Sequence, residues 1–209
     1  MSTQTQSEMI FEKFCVQNFL VWERVAEGSR KAPDYELKFD GVTVAVEIKQ
    51  VESEQGFNPG GVSSRIVGSH IRHKIEEARA QIQTAALSDR PAILLIYNSI
   101  DPWQSFGTEQ HDFICAMYGE LTMHVRVADR QFGPALHGRN ATLRTGFNSS
   151  FSGVGHLRRH AEGAAVTVYE NVYAAHPLPF DKLPHCINVV RVEIDAQPVI
   201  PADAASRRG

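Results

Sequence analysis

The chain has 209 residues, 43% of them apolar and 22% charged, with a formal net charge of −3. That size and balance fit one soluble domain with a substantial core and exclude a strongly basic chain that coats nucleic acid without selectivity; a local basic groove stays compatible. No apolar run approaches membrane-spanning length, the polar N-terminus lacks a signal pattern, and three scattered cysteines (Cys15, Cys115, Cys186) without zinc-site spacing fit a reducing compartment, so a cytoplasmic protein is expected.

Residues 1–7 read as a polar leader, with Ser7 as the cap of a helix from about Glu8 to Val25. Phe11, Phe14, Cys15, Val21, Trp22 and Val25 give that helix an apolar face. Two acids, Glu12 and Glu23, sit eleven residues apart on nearly the same side, with Val16 and Phe19 between them. A polar connection, 26–32, leads into a hairpin. Pro33 biases its neighbour to extended geometry, and Asp40-Gly41 supplies a tight turn. Beyond the turn, Val42, Val44, Val46 and Ile48 alternate with Thr43, Ala45, Glu47 and Lys49, so Glu47 and Lys49 project from one face of a strand whose other face is core.

Two carboxylates on adjacent strands can hold Mg²⁺, a hard ion that takes oxygen ligands and keeps several waters. A lysine two residues on can orient water or offset negative charge beside it. Pro33-Asp34, twelve residues, then Glu47-Ile48-Lys49 resembles the signature of the PD-(D/E)xK nuclease superfamily, the restriction-endonuclease-like fold. The resemblance implies an α/β protein with a mixed central sheet flanked by helices and a core of order α-β-β-α-β. It implies Asp34 and Glu47 as ligands of Mg²⁺ (or Mn²⁺), and Lys49 as the residue that positions or activates the attacking water. It also implies an acid from the first helix, with Glu12 the preferred match and Glu23 the second.

Farther along, a Gly/Ser-rich segment, 56–64, reads as a strand-to-helix connection or a gating loop; it lacks the Gly-Lys-Ser/Thr ending of a phosphate-binding loop. A helix from about Arg65 to Leu87 carries the stripe Val67, Ile71, Ile75, Ala78, Ile82, Ala85, flanked by His70, Lys74, Glu77 and Gln81. The resemblance makes Lys74 and Gln81 candidates for water or phosphate contact, against an ordinary solvated helix face. His70 and His73 lack a third ligand nearby. Ala92–Tyr97 is nearly all apolar, as a central strand should be. A helix near Thr108–Tyr118 and a strand near Leu121–Ala128 follow. The core spans about 8–128.

Residues 130–160 contain five arginines, among them Arg144, Arg158 and Arg159, and no acid. Much of this stretch reads as loop, with strands at Ser152–Leu157, Ala165–Tyr169 and Ile187–Ile194 and a polar tail from Gln197. A basic arm on an acidic chain suits phosphate-backbone contact, or pairing with acids elsewhere. The leading expectation is a single-domain metal-dependent nuclease acting on DNA more than RNA, with a homodimer as a candidate arrangement because cutting both strands usually takes two sites. The alternative is a catalytically silent nucleic-acid-binding or regulatory module on the same fold. A small-substrate hydrolase would need a closed pocket, and no Ser-His-Asp or Cys-His set supports nucleophilic catalysis.

Overall fold

The computed structural model describes residues 4–26, 31–52, 64–100 and 103–193; most of the Gly/Ser segment and the polar tail lie outside these. The element order is α1 (Gln6–Gln17), β1 (Val21–Arg24), β2 (Tyr35–Phe39), β3 (Val42–Val51), α2 (Ser69–Ala86), β4 (Ala92–Asn98), α3 (Gln110–Tyr118), β5 (Glu120–Arg126), β6 (Gln131–Arg139), β7 (Gly153–Arg159), β8 (Ala164–Glu170) and β9 (Ile187–Val190). Seven strands form one mixed sheet in the order β1-β2-β3-β4-β7-β8-β9, and β5 and β6 pair separately. Alternation along the strands feeds two apolar layers. Val44, Val46, Ile48, Ile93 and Leu95 pack with Phe11 and Phe14 of α1. Ala45, Leu94 and Ile96 face the other way, against Ile71, Ile75, Ile82 and Phe113 of α2 and α3. Among the described residues no helix is long and apolar enough to cross a membrane.

The expected long first helix is instead a helix and a strand. Thr5, not Ser7, is the N-cap, and it forms a reciprocal capping box with Glu8. The helix stops because the Asn18 amide donates back to the Phe14 carbonyl at 2.8 Å and Phe19 turns left-handed at φ 55°. Val21 and Trp22, which fit a helical stripe and an alternating strand equally well, then pair antiparallel with Leu37 and Lys38 on the open edge of the hairpin. Glu23 therefore does not share a helix face with Glu12; it is exposed on β1 and paired with Lys38 at 2.8 Å.

The hairpin forms as expected. Asp40 and Gly41 both take positive φ (45° and 74°), the turn whose twist matches the flanking strands, and Phe39 pairs with Val42. β3 returns through α2 to β4, its parallel neighbour, whose seven residues are all buried. The stripe of α2 is buried from Ile71 to Ala85, while Val67 lies ahead of the helix. The α-β-β-α-β order is thus present with β1 added at the edge. β7 then joins β4 in parallel, so the C-terminal strands extend the same sheet.

A second correction concerns residues 120–139. The strand expected near 121–128 does not join the main sheet, and 131–139, read as loop, is its partner. Gly119 makes the departure, at φ 98° with Gly138 and Arg139 backbone atoms 2.7 Å from where a Cβ would sit. Alternating Met123, His124, Val125 and Arg126 signals a strand but carries no information about which strand it pairs with.

Candidate metal site

The hairpin register sets Tyr35 against Val46, which brings Asp34, immediately before β2, alongside Glu47 of β3. An Asp34 carboxylate oxygen, Oδ2, accepts the Ile48 amide at 2.8 Å, fixing that side chain on the edge of β3. Glu47 is 1% exposed and lies on the same strand face as Ala45, with Leu94 its neighbour on β4. Its Oε1 is 2.7 Å from Lys49 Nζ. Its Oε2 is buried with no hydrogen-bond partner among the described residues. A buried carboxylate oxygen without a donor is costly, and something must offset it.

Electrostatics express the same strain. Burial, then the Asp34 charge beside it, pushes the Glu47 carboxyl up to about 7, with Lys49 and a hydrogen bond from the Asp34 backbone amide opposing. Burial also raises Asp34, against the Ile48 amide and Lys49. Two acids and one partly exposed ammonium thus meet at one point on the α2 side of the sheet. Among the described residues no three His, Cys, Asp or Glu side chains form a ready metal cluster. A cation held by Asp34 and Glu47 would complete its shell with water and substrate oxygens, which is how Mg²⁺ is commonly bound. The orphaned Oε2 of Glu47 fits such an ion.

The other expected residues divide. Lys74 and Gln81 lie on the flank of α2 opposite Arg72 and Arg79. Arg72 reaches the Cys115 carbonyl of α3, so the Lys74 flank is turned toward β2 and β3, on the face that carries Glu47 and Lys49. Lys74 pairs with Glu77 at 2.8 Å and lines a cleft of about 760 Å³ with Gln50, Arg65 and His70 at the carboxyl end of β3. The Oε1 of Gln81 is buried without a partner among the described residues. His73 pairs with Glu77 at 2.9 Å, and the His70 ring lies against Gly107.

Glu12 is not brought to Glu47. Its carboxylate accepts the Tyr35 hydroxyl at 2.8 Å, on the α1 side of the sheet. The α1 acid within electrostatic reach of Asp34 is Glu8, not Glu12. Glu8 pairs with Arg24 at 2.6 Å, next to Ser7, whose amide donates to Gln50 of β3 at 3.2 Å. Its signal was the Thr5-x-x-Glu8 capping pattern, which starts the helix two residues before the expected position and puts Glu8 in its first turn.

The arginines are not one arm. Arg144 stacks over Phe147 at 5.0 Å, where Arg79 also lies at 4.8 Å, on the α2 flank away from Lys49. Arg158 and Arg159, adjacent on β7, project to opposite faces. Arg158 follows His156, whose row across the sheet is Lys49, Ile96, His156. Arg159 lines a cleft of about 770 Å³ on the α1 side with Lys13, Gln104 and His160. No sequence pattern marks His156; it is buried, its Nε2 has no partner among the described residues, and burial followed by the Arg158 charge holds it down to about 4.

Comparison with family models, with curated proteins and with solved structures finds no match to this chain.

Proposed function

We propose that this chain is a metal-dependent phosphodiesterase acting on nucleic acid, on a restriction-endonuclease-like core. The observation that carries the proposal is the buried, half-unpartnered carboxylate of Glu47, set beside Asp34 and two residues from Lys49. An ordinary surface ion pair leaves neither carboxylate oxygen buried without a donor; a ligand pair waiting for a divalent ion does. Asp34 and Glu47 would hold Mg²⁺ or Mn²⁺. Bound there, the ion would offset charge on the phosphoryl and leaving oxygens.

The chain's own residues would do the rest. Lys49 would swing from Glu47 to orient the attacking water, with its ammonium favouring the deprotonated form. Lys74, on the adjoining flank of α2, is suited to a phosphate oxygen, and Arg158, in line with β7, to a neighbouring phosphate on the same face of the sheet. Arg159 faces the α1 side and would meet only a strand that crosses the carboxyl edge of the sheet. DNA is preferred to RNA by the family resemblance alone.

One observation favours a second reading. Lys49 already neutralises part of Glu47 at 2.7 Å, so a silent nucleic-acid-binding module could hold the site together with lysine in place of a cation. Plasmid and single-stranded DNA incubated with Mg²⁺ or Mn²⁺, wild type against Lys49→Ala, separates the two. The proposal expects cleavage that needs the ion and falls at least about 100-fold in the variant. Equal cleavage by both proteins refutes the assigned roles, and binding without cleavage by either supports the module.

A further inference from the structure

We propose that Arg79 and Arg144, gathered on the Phe147 ring, form a phosphate clamp for the second strand of a duplex, which makes double-stranded nucleic acid the substrate class of this chain. The ligand rests on the phosphodiesterase reading; the clamp itself does not. Arg144 is exposed and Arg79 half-buried, and their guanidinium carbons lie 5.0 Å and 4.8 Å from the centroid of the same ring. The two charges are therefore within about 10 Å of each other, one Debye length at about 0.1 M salt, and repel with little screening. Stacking on the ring offsets part of that repulsion. Arg24, Arg65, Arg90 and Arg191 each pair with a carboxylate. Neither clamp guanidinium makes an ion pair or a hydrogen bond with a described residue, the exposed Glu76 one turn before Arg79 included. Each keeps a planar fork of N–H donors that fits phosphate oxygens, and an anion there would relieve the repulsion.

The turn that carries the clamp is held still. Leu143 is buried in the core on the α2 side, and Arg144 and Phe147 exchange backbone hydrogen bonds at 3.2 and 2.9 Å, with Gly146 at φ 72° closing the turn. The Asn148 amide donates to the Thr142 carbonyl at 2.8 Å. Little ordering of this backbone is left for a ligand to supply. The choice of a duplex follows from width. Arg79 lies on the flank of α2 opposite Lys74, α2 is about 10 to 12 Å across with its side chains, and the major groove is about 12 Å wide. A duplex with one strand along Lys74 carries the phosphates of the other strand to Arg79 and Arg144. A lone strand in the Lys74 cleft stays one helix away from them. Between the flanks α2 turns out His73, Glu76 and Gln83, all exposed, and such donors and acceptors suit base edges.

The test is binding of the full chain to a labelled DNA duplex, and to one of its single strands, across a range of salt in chelator-containing buffer, where cleavage plays no part. Arg79→Ala/Arg144→Ala is set against wild type and against Arg126→Ala/Arg191→Ala, which removes the same charge from exposed arginines already paired with Asp129 and Glu170. Each phosphate contact contributes about 0.9 to the slope of log affinity against log salt, so the clamp variant should lose about 2 from the duplex slope and at least about 10-fold in duplex affinity, with single-strand affinity within about twofold of wild type. The control should keep the wild-type slope, and a melting curve of each variant reports that it folds. A duplex slope unchanged in the clamp variant, or lowered equally in the control, overturns the proposal and leaves the catalytic reading standing. Lost affinity for polyglutamate with an unchanged duplex slope would overturn it too, and would assign the clamp to an acidic protein segment. Equal losses on duplex and single strand overturn the assignment to a second strand. A wild type that binds neither form of DNA, with Mg²⁺ or without, overturns both readings. The expected slope without any metal-dependent cleavage upholds the clamp and removes the catalysis.

Discussion

Glu47→Gln converts the central claim about the site into a stability measurement that needs no substrate. The Glu47 carboxyl moves from an ordinary 4.5 to about 7 on folding. For an acid raised in the folded state, the native protein binds the extra proton, so stability falls as pH rises through that window and stays low above it. The gap corresponds to about 3 kcal/mol, and with Glu47 1% exposed little of it is screened. Glutamine keeps the shape and removes the charge, and Lys49, 23% exposed, can turn to water. In chelator-containing buffer the variant should match wild type near pH 4.5 and exceed it by about 3 kcal/mol at pH 8, or about 6 to 12 °C in melting temperature for a chain of this length. Added Mn²⁺ should stabilise only the wild type. A difference that does not vary with pH, or a variant less stable at pH 8, would mean that Glu47 is satisfied as a permanent ion pair, and the case for a cation would fall.

Three further outcomes are expected. Glu8→Gln should weaken Mn²⁺ binding about threefold to fivefold by calorimetry, and Glu12→Gln should leave it unchanged; the reverse order would restore Glu12 as the α1 acid. His156, neutral in the fold and held down to about 4, must be buried uncharged. Stability should therefore drop by about 3 kcal/mol as pH falls from 6.5 to 4, and His156→Phe should abolish that part of the acid transition in denaturant titrations. Gly155→Ala should cost at least about 2 kcal/mol in the same titrations, because its Cβ would sit 2.5 Å from the Thr167 carbonyl oxygen on β8; an unchanged midpoint would refute the tight β7–β8 approach.

What the sequence made legible was local. The Asp40-Gly41 turn, the alternation from Val42 to Ile48, the α2 stripe and the unbroken apolar run of β4 each encode one element by periodicity or turn chemistry, and together they place Asp34, Glu47 and Lys49. The losses came where one pattern serves two structures. Val21-Trp22 fits helix and strand, and the deciding contact is a hairpin edge fifteen or more residues away. Placing Glu12 required the true start of α1, and with it the side of the sheet the helix covers, which depends on tertiary packing. The basic stretch read as one arm because charge composition ignores direction. Adjacent residues of a strand face opposite ways, and Arg158 and Arg159 are separated for that reason.

The Asp34 bond to the Ile48 amide gives that side chain a second duty. Oδ2 holds the Ile48 amide of β3 in the chain without any cation, and the other oxygen is the one the proposed ion would take. Chelation should therefore leave the strand intact, and the Ile48 amide should exchange its hydrogen slowly in the metal-free protein. Alanine at position 34 would remove the proposed ligand and the clasp together, so loss of cleavage in that variant would say little about chemistry. Asparagine retains an acceptor for that amide while giving up the charge, and it is the replacement that distinguishes a lost ligand from a loosened edge.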